Sequence, residues 1–141
     1  MTSNSHDVVV LRRGTEGLSP DEYGQEIRKR LPDYTVTVAS TPKEEREVIK
    51  TARIATGITI SEQLLEHAEQ LELFVVASSG YNHLPMDRLA ESDIRVVNAS
   101  GIHAPGIAEQ VFGYMLAFAR KLPEGWKRQQ RSEWRHYQAE E

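Results

Sequence analysis

The chain sets short apolar runs against segments whose apolar residues recur every three or four positions, and the two patterns alternate up to about residue 100. Val8, Val9, Val10 and Leu11 form a buried-strand pattern closed by Gly14 and Gly17. Ser19, Pro20 and Glu22 then read as N-cap, first-turn proline and capping-box acid. Tyr23, Ile27 and Leu31 follow at i, i+4 and i+8, so a helix is predicted up to Pro32. Residues 34–39 alternate threonine with valine as a strand does, and Thr41, Pro42 and Glu44 or Glu45 start a second capped helix reaching about Thr51. Residues 52–56 predict a short strand, Ser61 caps a helix carrying Leu64, Leu65 and Ala68, and residues 73–77 predict a fourth strand. A short helix over 86–91 leads to a last strand at 95–97.

Strands alternating with helices of about ten residues imply right-handed crossovers and a parallel sheet covered on both faces. The predicted fold class is therefore α/β, a flavodoxin-like parallel five-stranded sheet with helices on both faces, followed by a C-terminal helical arm. Ligands of such sheets sit outside the carboxyl ends of the strands, so the loops starting at Thr56, Ser78 and Asn98 are expected to converge on one edge.

The arm differs in character. Ile107, Val111, Tyr114, Met115, Phe118 and Leu122 lie at helical spacing with Ala108, Ala117 and Ala119 between them, which makes a helix apolar over most of its circumference. Such a helix needs a partner surface. Pro123 starts a further helix with Trp126, Gln130, Trp134 and Tyr137 on one side and Lys127, Arg131 and Arg135 on another. A packed aromatic stripe beside a solvated basic face accounts for that pattern more simply than a nucleic-acid surface.

The whole chain, 141 residues with 39% apolar content, is enough for one core. A net charge of −4 gives no electrostatic reason to bind nucleic acid or an anionic membrane, and the lack of cysteine removes disulfides and thiolate chemistry. The opening residues MTSNSHD have no signal-peptide pattern, and no apolar run is long enough to span a membrane, so the cytoplasm is the expected compartment. The glycines at 14, 17, 24, 57, 80, 101, 106, 113 and 125 never stand one residue apart, so the dinucleotide fingerprint Gly-x-Gly is absent. Gly101 and Gly106 have P-loop spacing, yet Ile107 and Ala108 replace the Lys-Ser/Thr that meets phosphate and magnesium.

Two loops carry the candidate chemistry. Ser78-Ser79-Gly80-Tyr81-Asn82-His83 follows a strand and presents successive backbone N–H groups, which in a turn form a concave nest for an anion such as a carboxylate. The plain reading of the same spacing is a strand-to-helix turn with hydroxyls capping backbone amides. Asn98-Ala99-Ser100-Gly101-Ile102-His103 is the second, with Ala108-Glu109 beyond it.

In this order, over residues 73–120, these segments resemble the D-isomer-specific 2-hydroxyacid dehydrogenases. The resemblance implies a substrate domain whose main chain at Ser79 and Gly80 holds the carboxylate of a 2-oxo acid, with Ser78, Thr56 and Gly57 beside it and His103 at the cleft between two domains. It implies residues 1–102 as the substrate-binding flavodoxin-like domain and 103–141 as a helical arm leading toward a dinucleotide-binding domain. It also implies hydride transfer from NADH or NADPH in a parent enzyme, a homodimer formed through residues 104–122, and no cofactor bound by this chain itself. The family's acid–base histidine, its arginine and the glutamate that orients the histidine all lie beyond the matching positions, so no catalytic residue, cofactor ligand or metal ligand is expected here. A non-enzymatic flavodoxin-like module that binds a small carboxylate or a protein is the competing reading.

Overall fold

A computed structural model describes residues 7–15 and 17–134. The chain divides into two compact units, Met1–Ser100 and Gly101–Glu141.

The first unit is built on five strands, β1 (Val8–Val10), β2 (Val36–Val38), β3 (Ile54–Gly57), β4 (Leu73–Val76) and β5 (Arg95–Asn98). All neighbours pair in parallel, in the order β2-β1-β3-β4-β5, so the predicted five-stranded parallel sheet is present. Its registers set Val10 beside Thr56 and Val38, and Gly57 and Asn98 on either side of Val76. Four helices connect the strands: α1 (Pro20–Arg30), α2 (Pro42–Val48), α3 (Glu62–Leu65) and α4 (Met86–Ala90). A 3-10 turn at Ile49–Thr51 follows α2.

Local sequence explains most of the helix starts. Ser19 and Glu22 form a reciprocal capping box at α1, Thr41 accepts from the Glu44 N–H at α2, and Ser61 accepts from the Leu64 N–H at α3. Packing explains why strands as short as three residues hold. Val9, Leu11, Ala55, Phe74 and Val76 turn to one face and meet Ile49, Leu64 and Leu89 from the helical segments. On the other face Val8, Val10 and Val36 meet Tyr23 and Ile27 of α1. Side chains alternate across each strand, so a sheet apolar on both faces has to be covered twice.

Several boundaries differ from the sequence reading. The strand expected over 34–39 shrinks to Val36–Val38, the residues in register with Val8–Val10; Thr35 and Ala39 each add one backbone bond to β1 at its ends, and Tyr34 is exposed. The helix expected to run to Ala68 ends at Leu65 and continues as tighter turns, His67 to Leu64 and Ala68 to Leu65, that still press Leu65 and Ala68 on the core.

The second unit contains α5 (Ala104–Ala119) and α6 (Leu122–Gln130), joined through Lys121 in a left-handed conformation. The α6 helix is shorter than its stripe predicted. It closes at Gln130, Ser132 takes a positive φ of 56°, and Trp134 is fully exposed instead of continuing the line of Trp126 and Gln130. Arg135 and Tyr137, placed on the same helix from sequence, lie outside the described residues. No helix among the described residues is long and apolar enough to cross a membrane.

Candidate functional site

In the strand order β2-β1-β3-β4-β5 the chain leaves β1 toward β2 and returns to β3 on the opposite side of β1. The two crossovers diverge there and open a crevice outside the carboxyl ends of β1 and β3, where open α/β sheets take their ligands. Three loops are stitched together at that edge. The Arg13 carbonyl accepts from the Ile58 N–H at 2.7 Å, the Ile58 carbonyl is 2.7 Å from His83 Nε2, and Thr15 Oγ1 donates to the Ala77 carbonyl at 3.4 Å. The loop after β1 therefore reaches across β3 to the start of the loop after β4. The loop after β5 joins from the far side, with the Ala99 N–H on the Ser78 carbonyl at 3.0 Å and Asn98 Nδ2 on the Ser79 carbonyl at 2.8 Å.

These contacts orient the backbone of the Ser78–His83 loop. Ser78 Oγ donates to the Gly80 carbonyl at 2.9 Å, so the carbonyls of Ser79 and Gly80 both accept from side chains. Among the described residues, the backbone N–H groups of Ser78, Ser79, Gly80, Tyr81, Asn82 and His83 donate to no protein acceptor. Ser79, Gly80, Tyr81, Asn82 and His83 are exposed. Successive unpaired donors beside occupied carbonyls give a local surface of positive potential suited to an oxyanion.

The glycines separate into distinct roles. A Cβ on Gly57 would stand 3.0 Å from the Arg13 carbonyl oxygen and 3.2 Å from Leu11 Cβ, so the close approach of β1 to β3 itself demands glycine there. A Cβ on Gly80 would meet nothing within 4 Å, and Gly80 has no positive φ. Neither fold nor neighbours require glycine at 80. Gly101 holds φ 82°, a left-handed turn just before α5.

The predicted site residues thus fall into three groups. Ser78, Ser79 and Gly80 form one loop, Ser78 half-buried and the other two exposed. Thr56 and Gly57 lie at the adjoining end of β3, both buried, and the Thr56 hydroxyl is committed to protein: it donates to the Val75 carbonyl at 3.0 Å and sits 3.1 Å from the Tyr23 hydroxyl. His103 belongs to the second unit, where it precedes α5 and is exposed. Sequence reasoning missed the loop after β1, with Arg13 and Thr15, and the tethering roles of Ile58, His83 and Asn98. The signal for that loop was the reversal of strand order at β1, which follows from the fold class once the order is known.

An all-parallel sheet in the order β2-β1-β3-β4-β5, covered by helices on both faces, defines the class as a doubly wound α/β fold. The chain belongs to the D-isomer specific 2-hydroxyacid dehydrogenase family, whose catalytic-domain model matches residues 9–128. It is 30% identical over 111 residues to the D-3-phosphoglycerate dehydrogenase of Methanocaldococcus jannaschii, a match covering 77% of this chain and 21% of that protein. Glyoxylate/hydroxypyruvate reductase B of Pectobacterium carotovorum is 28% identical over 114 residues, covering 78% of this chain and 36% of the reductase. The fold superposes on D-lactate dehydrogenase from Aquifex aeolicus, solved with NAD and lactic acid, at a TM-score of 0.64 and 18% identity, over 93% of this chain and 39% of that one. The chain thus spans roughly a fifth to a third of the length of these curated relatives.

Proposed function

We propose that the Ser78–His83 loop holds the carboxylate of a small 2-oxo or 2-hydroxy acid, and that the chain is the substrate domain of an NAD(P)-dependent oxidoreductase interconverting 2-oxo acids and D-2-hydroxy acids. The observation that carries this reading is the row of six N–H groups without a protein acceptor among the described residues, on the loop after β4 at the carboxyl edge of the sheet. A carboxylate there accepts charge-assisted hydrogen bonds from the main chain at Ser79 and Gly80, while Asn98 and Ser78 hold the competing carbonyls turned to themselves. Thr56 and Gly57 form the buried floor beside it. His103 heads α5 in the second unit and is assigned to the domain cleft.

NAD or NADP supplies the hydride in this chemistry. These 141 residues do not fit a dinucleotide, since no two glycines stand one residue apart in a pyrophosphate turn. The polypeptide of 141 residues alone is therefore expected to show no NADH- or NADPH-dependent reduction of 2-oxo acids, followed at 340 nm.

A ¹⁵N-resolved titration of the chain with pyruvate tests the carboxylate site. Shifts concentrated at the Ser79 and Gly80 amides, weakened roughly ten- to a hundredfold in Gly80→Val, are the expected result, the loss of one charge-assisted hydrogen bond. Undisturbed amides at both positions would remove this loop from the site.

A further inference from the structure

Arg12 and Arg13 follow β1 directly, and their environments differ. Arg12 is drawn to α2: its backbone N–H and its Nε reach the Glu45 carboxylate at 3.0 and 3.1 Å, and Glu45 is buried. Arg13 is exposed, and among the described residues its guanidinium has neither a carboxylate nor a carbonyl partner. Its main chain bonds Ile58 across the β1–β3 crevice, and two residues later Thr15 bonds the carbonyl of Ala77, the residue before Ser78. In the loops leaving β1, β3, β4 and β5, Arg13 is then the one described arginine or lysine without a carboxylate partner, and its loop is tied through Ile58 and Thr15 to the segment that carries the free N–H groups.

An unpaired guanidinium on a loop bonded to the one that carries the carboxylate nest is suited to a second anion. Pairing with Glu45 removes Arg12 from that role and fixes the loop that presents Arg13. A guanidinium matches carboxylate or phosphate oxygens in a two-pronged geometry, which an ammonium does not, and it stays charged at every physiological pH. We infer that Arg13 receives the distal anionic group of the substrate and selects 2-oxo acids with a second negative charge, either dicarboxylates or phosphate esters, over simple monoanions. This specificity role rests on the carboxylate site proposed above, to which it adds a second contact point across the crevice.

The test is a titration of the full chain at low salt with pyruvate, 2-oxoglutarate and 3-phosphohydroxypyruvate, read at the Ser79 and Gly80 amides and at the Arg13 side-chain Nε–H. One of the two ligands with a second anionic group is expected to bind roughly five- to tenfold more tightly than pyruvate, a range set by a charge-assisted contact in a partly solvated cleft. That preference should collapse to near unity in Arg13→Gln, survive in part in Arg13→Lys, and shrink as NaCl rises. The tighter of the two identifies a carboxylate or a phosphoester as the second group. Equal affinity for pyruvate, 2-oxoglutarate and 3-phosphohydroxypyruvate in the native chain, or a preference that persists in Arg13→Gln, overturns the role of Arg13 while shifts at Ser79 and Gly80 leave the carboxylate site standing. Silence of those two amides with all three ligands overturns both. Arg13 is exposed, so Arg13→Gln is expected to keep the dispersed spectrum of the folded chain.

Discussion

At the scale of single residues, what glycine is for differs from one position to the next. Gly57 is held between the backbone of Arg13 and the side chain of Leu11, whereas Gly80 faces open space. Gly57→Ala should therefore destabilise the fold by about 1–3 kcal/mol, because the nearest atom is a backbone oxygen that cannot step aside cheaply. Gly80→Ala should stay within about 0.5 kcal/mol of the native chain. Urea unfolding of the pair measures both, and equal midpoints for the two variants would show that the β1–β3 approach relaxes more easily than its spacing implies. Thr56 belongs with Gly57: its hydroxyl bridges Tyr23 and the Val75 carbonyl inside the unit. Thr56→Val keeps the shape and leaves both partners without that oxygen, at an expected cost of about 1–3 kcal/mol.

At the scale of elements, α1 joins its cap and its charges in one short segment. Ser19 and Glu22 satisfy the first turn, and Glu26 accepts from both Lys29 and Arg30 one turn on. The hydrogen bond from Lys29, then that from Arg30, holds the Glu26 carboxyl down at about 2 from an ordinary value of 4.5. Glu72 is lowered by its two-pronged pair with Arg53, and Glu124 by Arg128. A carboxyl whose folded pKa lies below its unfolded value stabilises the fold fully above the unfolded value and loses that contribution as pH falls toward the folded one. For Glu26 the window runs from 4.5 down to about 2. The melting temperature should fall through that window, and less steeply in Glu26→Gln. All these carboxylates are exposed, so the difference between variants should be small and should fade in salt. Parallel slopes for native chain and variant at low salt would contradict the pairing on α1.

At the scale of the whole molecule, α5 is the element least explained by the chain's own contacts. Ile107, Phe112, Tyr114, Met115, Leu116 and Phe118 are all exposed, Phe118 at 77%, and none of its residues is buried. Contiguous apolar surface of that kind is rare on monomers. We propose that the homodimer through residues 104–122 expected from the resemblance covers it with a second copy of the same helix, a self-complementary contact. Sedimentation equilibrium at micromolar concentration should give a mass above the 16.0 kDa of one chain, and Phe118→Glu should return it to a monomer. A native chain that sediments at 16.0 kDa would sink that assignment.

Short apolar runs and apolar residues recurring near 3.6 determined the element types, because each is a one-dimensional record of which faces are buried. The capping box at Ser19 and the caps at Thr41 and Ser61 were legible for the same reason, since their partners lie three residues away. The Ser78–Gly80 loop could be read as a turn after a strand, and resemblance to a family supplied its ligand. The boundaries of β2 and α3 escaped, as their ends depend on strand partners and core contacts distant in the chain. Only the folded sheet revealed that Thr15 meets Ala77, 62 residues away, that Gly57 is glycine for β1's sake, and that Glu45 claims Arg12 and leaves Arg13 exposed. Each follows from β1 lying between β2 and β3, a spatial order that places segments together whatever their separation in sequence.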